Sequence, residues 1–156
     1  MLSNYNNYID YNIYLPVLNE LISNALENLP VNEKSKKFGT VKLIDSSTIT
    51  MAKTYFQWAE FRSSKAGIKL HTKFNLNKGI PEIILVSNAK PHDRSKMEDV
   101  ITENNCIYIF DKGYVDYKKF DSFSEKGIRF ITRLKDNAAL DEINSWCYVN
   151  KKYKLK

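Results

Sequence analysis

The sequence has 156 residues and a mass of 18.2 kDa, which is enough for one domain with a buried core. Its hydrophobic fraction of 43% excludes a chain that is disordered throughout, and no apolar stretch approaches the ~20 residues that cross a bilayer. A formal net charge of +6 favours an anionic partner such as nucleic acid without requiring one.

The two cysteines, Cys106 and Cys147, do not form a C-x-x-C pair, and the N-terminus shows no secretory signal. These features predict two ordinary thiols in a reducing compartment. We therefore expect a soluble, cytoplasmic protein.

The first 37 residues are expected to lie outside the main domain. Residues 1–13 are rich in Asn and Tyr and have no clear period, which predicts a poorly ordered arm. Apolar residues then recur every three or four positions from Tyr14 to Leu29, so an amphipathic helix is predicted there. A polar, basic connector follows it.

The first predicted strand lies within residues 40–48. Its apolar run ends on Asp45, and three hydroxyl residues follow. Residues 49–64 show no convincing period and predict an irregular segment. The aromatic residues of that segment are expected to pack on the domain: Tyr55, Phe56, Trp58 and Phe61.

Residues 66–88 predict a hairpin with a turn at Asn77–Gly79. Apolar and polar residues alternate along its first strand, which predicts a half-buried strand. The polar side of this strand is expected to face solvent and carries Lys69, His71 and Lys73.

Two strand-helix units complete the pattern. A helix is predicted over residues 94–104 and a buried strand over Ile107–Phe110, which ends on Asp111. Aromatic residues recurring every three positions from Tyr114 predict another helix, and a last strand covers residues 128–134. The tail has a short helical pattern and then an alternating, basic stretch.

This order predicts an α/β fold with a mixed five-stranded sheet, flanking helices and the order of elements of the ribonuclease-H-like fold. In that fold the first and fourth strands are parallel neighbours, ~4.8 Å apart. Asp45 and Asp111 would then lie side by side at the same end of the sheet.

Two adjacent carboxylates suit Mg²⁺ or Mn²⁺, and such a pair can hold two metal ions ~3.5–4 Å apart for phosphoryl transfer. Each aspartate alone is more typical of a helix cap or a turn than of a metal ligand. Basic residues around the site are expected to hold DNA: Lys69, His71, Lys73, Arg129, Arg133 and Lys135.

Five strings in one order carry a resemblance to a known family: LIDSST (43–48), FQWAEFRSSKAGIKLH (56–71), KPHD (90–93), IFDKGYVDYKKF (109–120) and FITRLKDN (130–137). Together they resemble the transposase catalytic domain of bacterial insertion sequences, DDE superfamily, insertion sequence 4 group. The resembling region predicts a catalytic core over residues 38–147.

The resemblance implies that Asp45 and Asp111 are the first two acids of a triad that binds divalent metal for nicking and joining of DNA strands. Gly113 and Tyr114 match the turn after the second acid, and Arg133 matches a basic position after the last strand. The implied partners are double-stranded transposon ends and target DNA, with a homodimer of the full-length parent.

The third acid of the family pattern has no match in this sequence, so we expect the core to be incomplete at its C-terminus. Residues 148–156 would be the start of a truncated insertion segment. Glu142 is an alternative third acid, 31 residues after Asp111. Three functions stay open: a transposase core fragment of doubtful activity, a non-catalytic DNA-binding remnant, and a ribonuclease-H-like nuclease that uses Glu142.

Overall fold

The computed structural model describes residues 13–55, 57–62, 65–89 and 93–134. Within these residues one mixed sheet of six strands is flanked by three α-helices. The strands are β1 (Thr40–Met51), β2 (Glu60–Arg62), β3 (Lys65–Asn75), β4 (Ile80–Asn88), β5 (Cys106–Phe110) and β6 (Arg129–Thr132). The helices are α1 (Tyr14–Asn28), α2 (Met97–Val100) and α3 (Tyr117–Glu125).

The sheet pairs β3 antiparallel with β1, and β1 parallel with β5, which in turn is parallel with β6. Strands β2 and β4 both pair antiparallel with β3. The α/β class, the ribonuclease-H-like order and the five predicted strands are confirmed. The irregular segment predicted over residues 49–64 is wrong in part, because β1 continues to Met51 and β2 adds a sixth, short strand.

Helix α1 begins at Tyr14 as predicted and ends at Asn28, but none of its residues is buried. It is tied to the hairpin between β3 and β4, where Lys78 Nζ donates to the Leu26 carbonyl. The Asn32 amide donates to the Asn77 carbonyl at 2.7 Å. No helix in the described part of the chain is long and apolar enough to span a membrane.

Helix α2 is shorter than the predicted helix over residues 94–104. A 3-10 turn, Asp93–Lys96, precedes it, and Ile101 already has an extended backbone. Helix α3 ends as expected, since Gly127 adopts a φ of 67° just beyond it. Short as it is, α2 contributes Met97 and Val100 to the core, both with no solvent exposure.

The hydrophobic core joins β1 and β5 to α2 and α3. Phe130 of β6 stacks on Phe110 with ring centroids 5.7 Å apart, and Phe120 of α3 covers Phe130 at 4.6 Å. The buried core residues are Ile44, Met97, Val100, Ile101, Cys106, Tyr108, Phe110, Tyr114 and Phe123.

The polar side of β3 faces this core, which overturns the predicted orientation of the strand. His71 and Lys73 are 1% and 2% exposed, whereas the apolar residues on either side of them, Leu70 and Phe74, are only half-buried. The register explains this, because Lys73 lies opposite the core residue Ile44 on β1. Side chains of directly paired residues project from the same face of a sheet.

Lys73 belongs to a cluster of four charged residues, Lys42, Lys73, Glu82 and Glu103. We call it the buried charge cluster because both lysine side chains are buried, whereas the Glu103 side chain is 40% exposed. Lys42 Nζ lies 2.6 Å from Glu103 Oε1 and 2.8 Å from Glu82 Oε2. Lys73 Nζ lies 3.0 Å from Glu103 Oε1. Asn75 donates to Glu82 Oε1 at 2.8 Å, so the buried carboxylate also has a neutral partner. Each lysine therefore has carboxylate partners inside the fold, as buried charges require.

The charged groups of this cluster shift one another's pKa values. Burial raises the pKa of Glu103, but hydrogen bonds from Lys42 and Lys73 outweigh it and leave that pKa below its ordinary value of 4.5. Burial lowers the pKa of Lys42, and the hydrogen bonds to Glu103 and Glu82 overcompensate, so that pKa lies above 10.5. Both groups are therefore charged at neutral pH.

Removal of a lysine from this cluster should destabilise the fold strongly. We expect Lys42→Ala to lower the free energy of unfolding by about 3 kcal/mol, because it leaves buried carboxylates short of a partner. Lys96→Ala, which removes a surface ion pair with Asp99, should cost under ~1 kcal/mol. Urea denaturation of both variants measures the difference, and equal losses would contradict a special role for the cluster.

Glu103 should also contribute to the way the free energy of unfolding falls at acid pH. Its pKa is lowered by folding, so its contribution is fully present above its unfolded value of 4.5 and is lost as the pH falls through the folded value. Glu103→Gln should thus flatten the decline of unfolding free energy below pH ~5. Glu98→Gln, at a carboxylate 70% exposed, is the control and should leave the slope unchanged.

Candidate active site

The parallel register of β1 and β5 brings the two aspartates to equivalent positions. The paired residues run from Thr40 opposite Cys106 to Ile44 opposite Phe110. Asp45 and Asp111 are the next residue of each segment, so their Cα atoms are expected roughly 5 Å apart, the spacing of neighbouring strands. Both are exposed.

Asp45 does not end its strand, in contrast to the sequence prediction. Strand β1 continues for six residues beyond it and keeps its pairing with β3, where Asp45 lies opposite Thr72. What ends at Asp45 is the parallel pairing with β5. The carboxylate therefore lies on a rigid strand at the point where one neighbouring strand stops.

Asp111 ends β5 as predicted and begins a 3-10 turn, Lys112–Tyr114. Its Oδ1 accepts the Gly113 amide at 2.9 Å. Tyr114 is 1% exposed, and its ring lies 6.3 Å from that of Phe110. Asp111 is therefore a cap, and since a carboxylate accepts several bonds, this role leaves capacity for a metal.

One open cavity of about 470 Å³ contains both aspartates. It lies where the parallel pairing of β1 with β5, and of β5 with β6, comes to an end, and the Thr132 hydroxyl donates to the Asp111 carbonyl at 3.4 Å. Its lining residues are Leu43, Ile44, Asp45, Ile109, Phe110, Asp111, Ile131, Thr132 and Arg133. Arg133 was predicted because basic and apolar residues alternate along the last predicted strand. Thr132 and the aliphatic residues were not singled out from the sequence.

The donor set fits a hard divalent cation in part. Two carboxylates offer oxygen ligands on adjacent strands, which suits Mg²⁺ or Mn²⁺. Among the described residues no group of three or more His, Cys, Asp or Glu side chains could hold a metal. A metal here would thus take its remaining ligands from water or from other parts of the protein. Glu142 lies outside the described residues.

The structure separates the basic residues that were predicted to bind DNA. Arg133 lies in the cavity beside the aspartates, just after β6, and Arg129 is exposed at the opposite end of that strand. His71 is buried with its Nε2 2.9 Å from Ser87 Oγ, and Lys73 is held in the buried charge cluster, so neither lies on the surface. Lys69 is half-buried on β3, and Lys135 lies outside the described residues.

Comparison with known proteins adds to this geometry. The model of the family "Transposase DDE domain" matches residues 36–156. The chain is 27% identical over 105 residues to a protein of Geobacillus stearothermophilus named as a transposase for insertion sequence element IS5377. It is 30% identical over 100 residues to y4zB of Sinorhizobium fredii, also named as a transposase.

These alignments cover 67% and 64% of this chain but 28% of each relative, so the chain spans about 28% of the length of the curated relatives it matches. The match of the family model covers most of the chain, including both aspartates and Arg133. The chain therefore belongs to the transposase DDE domain family.

Proposed function

We propose that this chain holds the first two acids of a DDE transposase catalytic site, and that it belongs to the insertion sequence 4 group. The cavity shared by Asp45 and Asp111 is the observation that carries the proposal. The parallel register that aligns the two strands supports it, since no local motif could bring residues 66 positions apart together.

The proposed chemistry is metal-dependent phosphoryl transfer on DNA, with nicking of transposon ends and joining to target DNA. A bound Mg²⁺ or Mn²⁺ pair would supply charge stabilisation at the attacking and leaving oxygens. Asp45 and Asp111 would hold the metal. The Gly113 amide orients the Asp111 carboxylate, and Arg133 lies where a DNA phosphate would contact it.

The complete activity requires a third acid. In the described part of the chain the cavity contains only two carboxylates. We therefore propose that the chain by itself binds metal weakly and does not carry out strand transfer. A nuclease that recruits Glu142 as the third ligand is the alternative, and loss of plasmid nicking in Glu142→Gln would identify it.

Metal binding tests the two acids directly. Asp45→Asn and Asp111→Asn should each weaken Mn²⁺ binding by roughly 10–100-fold or more, the loss typical even for outer-shell partners of a metal. Isothermal titration calorimetry measures the affinity. Asp121→Asn, at an exposed position of α3, is the matched control and should bind Mn²⁺ as the parent does.

The fold should survive these substitutions, because an asparagine at position 111 keeps an oxygen that can accept the Gly113 amide. Circular dichroism checks this point. Unchanged Mn²⁺ affinity in both folded variants would contradict the proposed metal site.

DNA binding through β6 is a separate part of the proposal, because it needs no metal. Arg129 is exposed at the start of β6, and Arg133 is exposed just after the end of that strand. Each of Arg129→Gln and Arg133→Gln should reduce the slope of log affinity against log salt by ~0.9 in magnitude, the loss of one phosphate contact. Fluorescence anisotropy in EDTA measures the slope for duplex DNA.

Lys126→Gln is the control for this experiment, since Lys126 is exposed just after α3 and away from the cavity. It should leave the salt slope near that of the parent. A slope that is the same in all three variants would show that DNA is held elsewhere.

A further inference from the structure

The connection between β1 and β2, residues 52–59, exposes two large aromatic side chains. Tyr55 is 81% exposed and Trp58 is 66% exposed. The sequence predicted that these rings pack on the domain, and for both residues that prediction is wrong. Their exposure is unlike that of Tyr108 and Tyr114, which are fully buried in the core. We call residues 52–55 and 57–59 the aromatic loop, since residue 56 lies outside the part of the chain that the structure describes.

The aromatic loop lies at the end of the part of β1 and β3 that extends beyond the candidate metal site. Beyond Asp45, β1 and β3 stay paired as far as Met51 opposite Ala66. Six residues of strand span roughly 20 Å at ~3.3 Å per residue.

The surroundings of the two rings are polar. Thr54 and Gln57 are exposed beside them, and Ala59 is buried at the base of the loop. Lys65 is exposed at the start of β3, next to the end of the short strand that follows the loop. A protein-binding hot spot is normally ringed by contacts that exclude water. Isolated aromatic rings among polar and basic groups are instead typical of single-stranded nucleic acid binding.

We propose that Tyr55 and Trp58 form a stacking platform for unpaired bases of a DNA strand that runs from the metal site along the extension of β1 and β3. The proposal rests on the proposed function in one respect, namely that DNA is the substrate. It assigns to the aromatic loop the recognition of unpaired bases, which the two aspartates, Arg129 and Arg133 do not provide.

Tryptophan fluorescence tests the platform. Since the chain contains two tryptophans, Trp146→Phe leaves Trp58 as the only emitter. This variant is titrated in EDTA with a single-stranded oligonucleotide of about 12 nucleotides, within the range of about 4–16 nucleotides that single-strand binding sites cover. A stacked base should quench Trp58 in a saturable manner. The fully paired duplex of the same sequence should quench it far less, because its bases are already stacked.

Affinity measurements on variants give the second readout. Trp58→Ala and Tyr55→Ala should each weaken binding of the oligonucleotide by about 5–150-fold, the effect of one lost stacking contact. Trp58→Phe should keep most of the affinity. Tyr117→Ala removes an exposed aromatic residue of α3 and is the matched control that should not change binding. The salt slope should stay constant in all four, since stacking neutralises no phosphate.

Two results would overturn the proposal. One is Trp58 emission that does not respond to the oligonucleotide, together with Trp58→Ala binding as tightly as Tyr117→Ala. The other is a Trp58→Ala variant that binds the oligonucleotide normally but loses self-association in analytical ultracentrifugation, which would identify a protein-docking surface. Because the titration contains EDTA, failure of the metal site alone leaves its outcome unchanged.

Discussion

The register between the parallel strands β1 and β5 is the constraint on which the candidate site depends. Ile44 lies opposite Phe110, so an aspartate follows at the same level on both strands. A slip of one residue would turn every side chain of a strand to the other face, and would bring the Asp45 carboxylate into the core position that Ile44 now fills. The apolar pattern that builds the core therefore also fixes the distance between the two acids.

The buried charge cluster reinforces this register from the core side. Lys42 lies opposite Tyr108, three residues before the aspartates on both strands, and the Tyr108 hydroxyl accepts the Glu103 amide at 3.1 Å. Ion pairs below the surface cost desolvation, so hydrophobic replacements could be equally stable. What the pairs add is selectivity, because a shifted strand would leave Lys42 or Lys73 without the carboxylates that it now contacts.

The two aspartates show what the local sequence can predict about the ends of strands and what it cannot. Asp111 was predicted correctly as a strand end, because a buried apolar run stops there and Gly113 follows at capping distance. Asp45 was not, since the hydroxyl and β-branched residues after it also suit an exposed strand. Strand β1 continues because β3 is long enough to pair with it up to Met51. The end of the neighbouring strand β5, not of β1, defines the site.

The sequence by itself determined the α/β class, the order of strands and helices, and the two aspartates that could meet, because hydrophobic periodicity and turn residues are local signals. Only the tertiary structure decided which face of β3 is buried. A Lys-His-Lys alternation resembles a solvated face until Glu82 and Glu103 arrive from β4 and from the segment after α2 to pair with it. The tertiary structure likewise left Tyr55 and Trp58 exposed, since the core is filled by rings from β5, β6 and α3. Burial depends on partners distant in the chain, and no local pattern contains them.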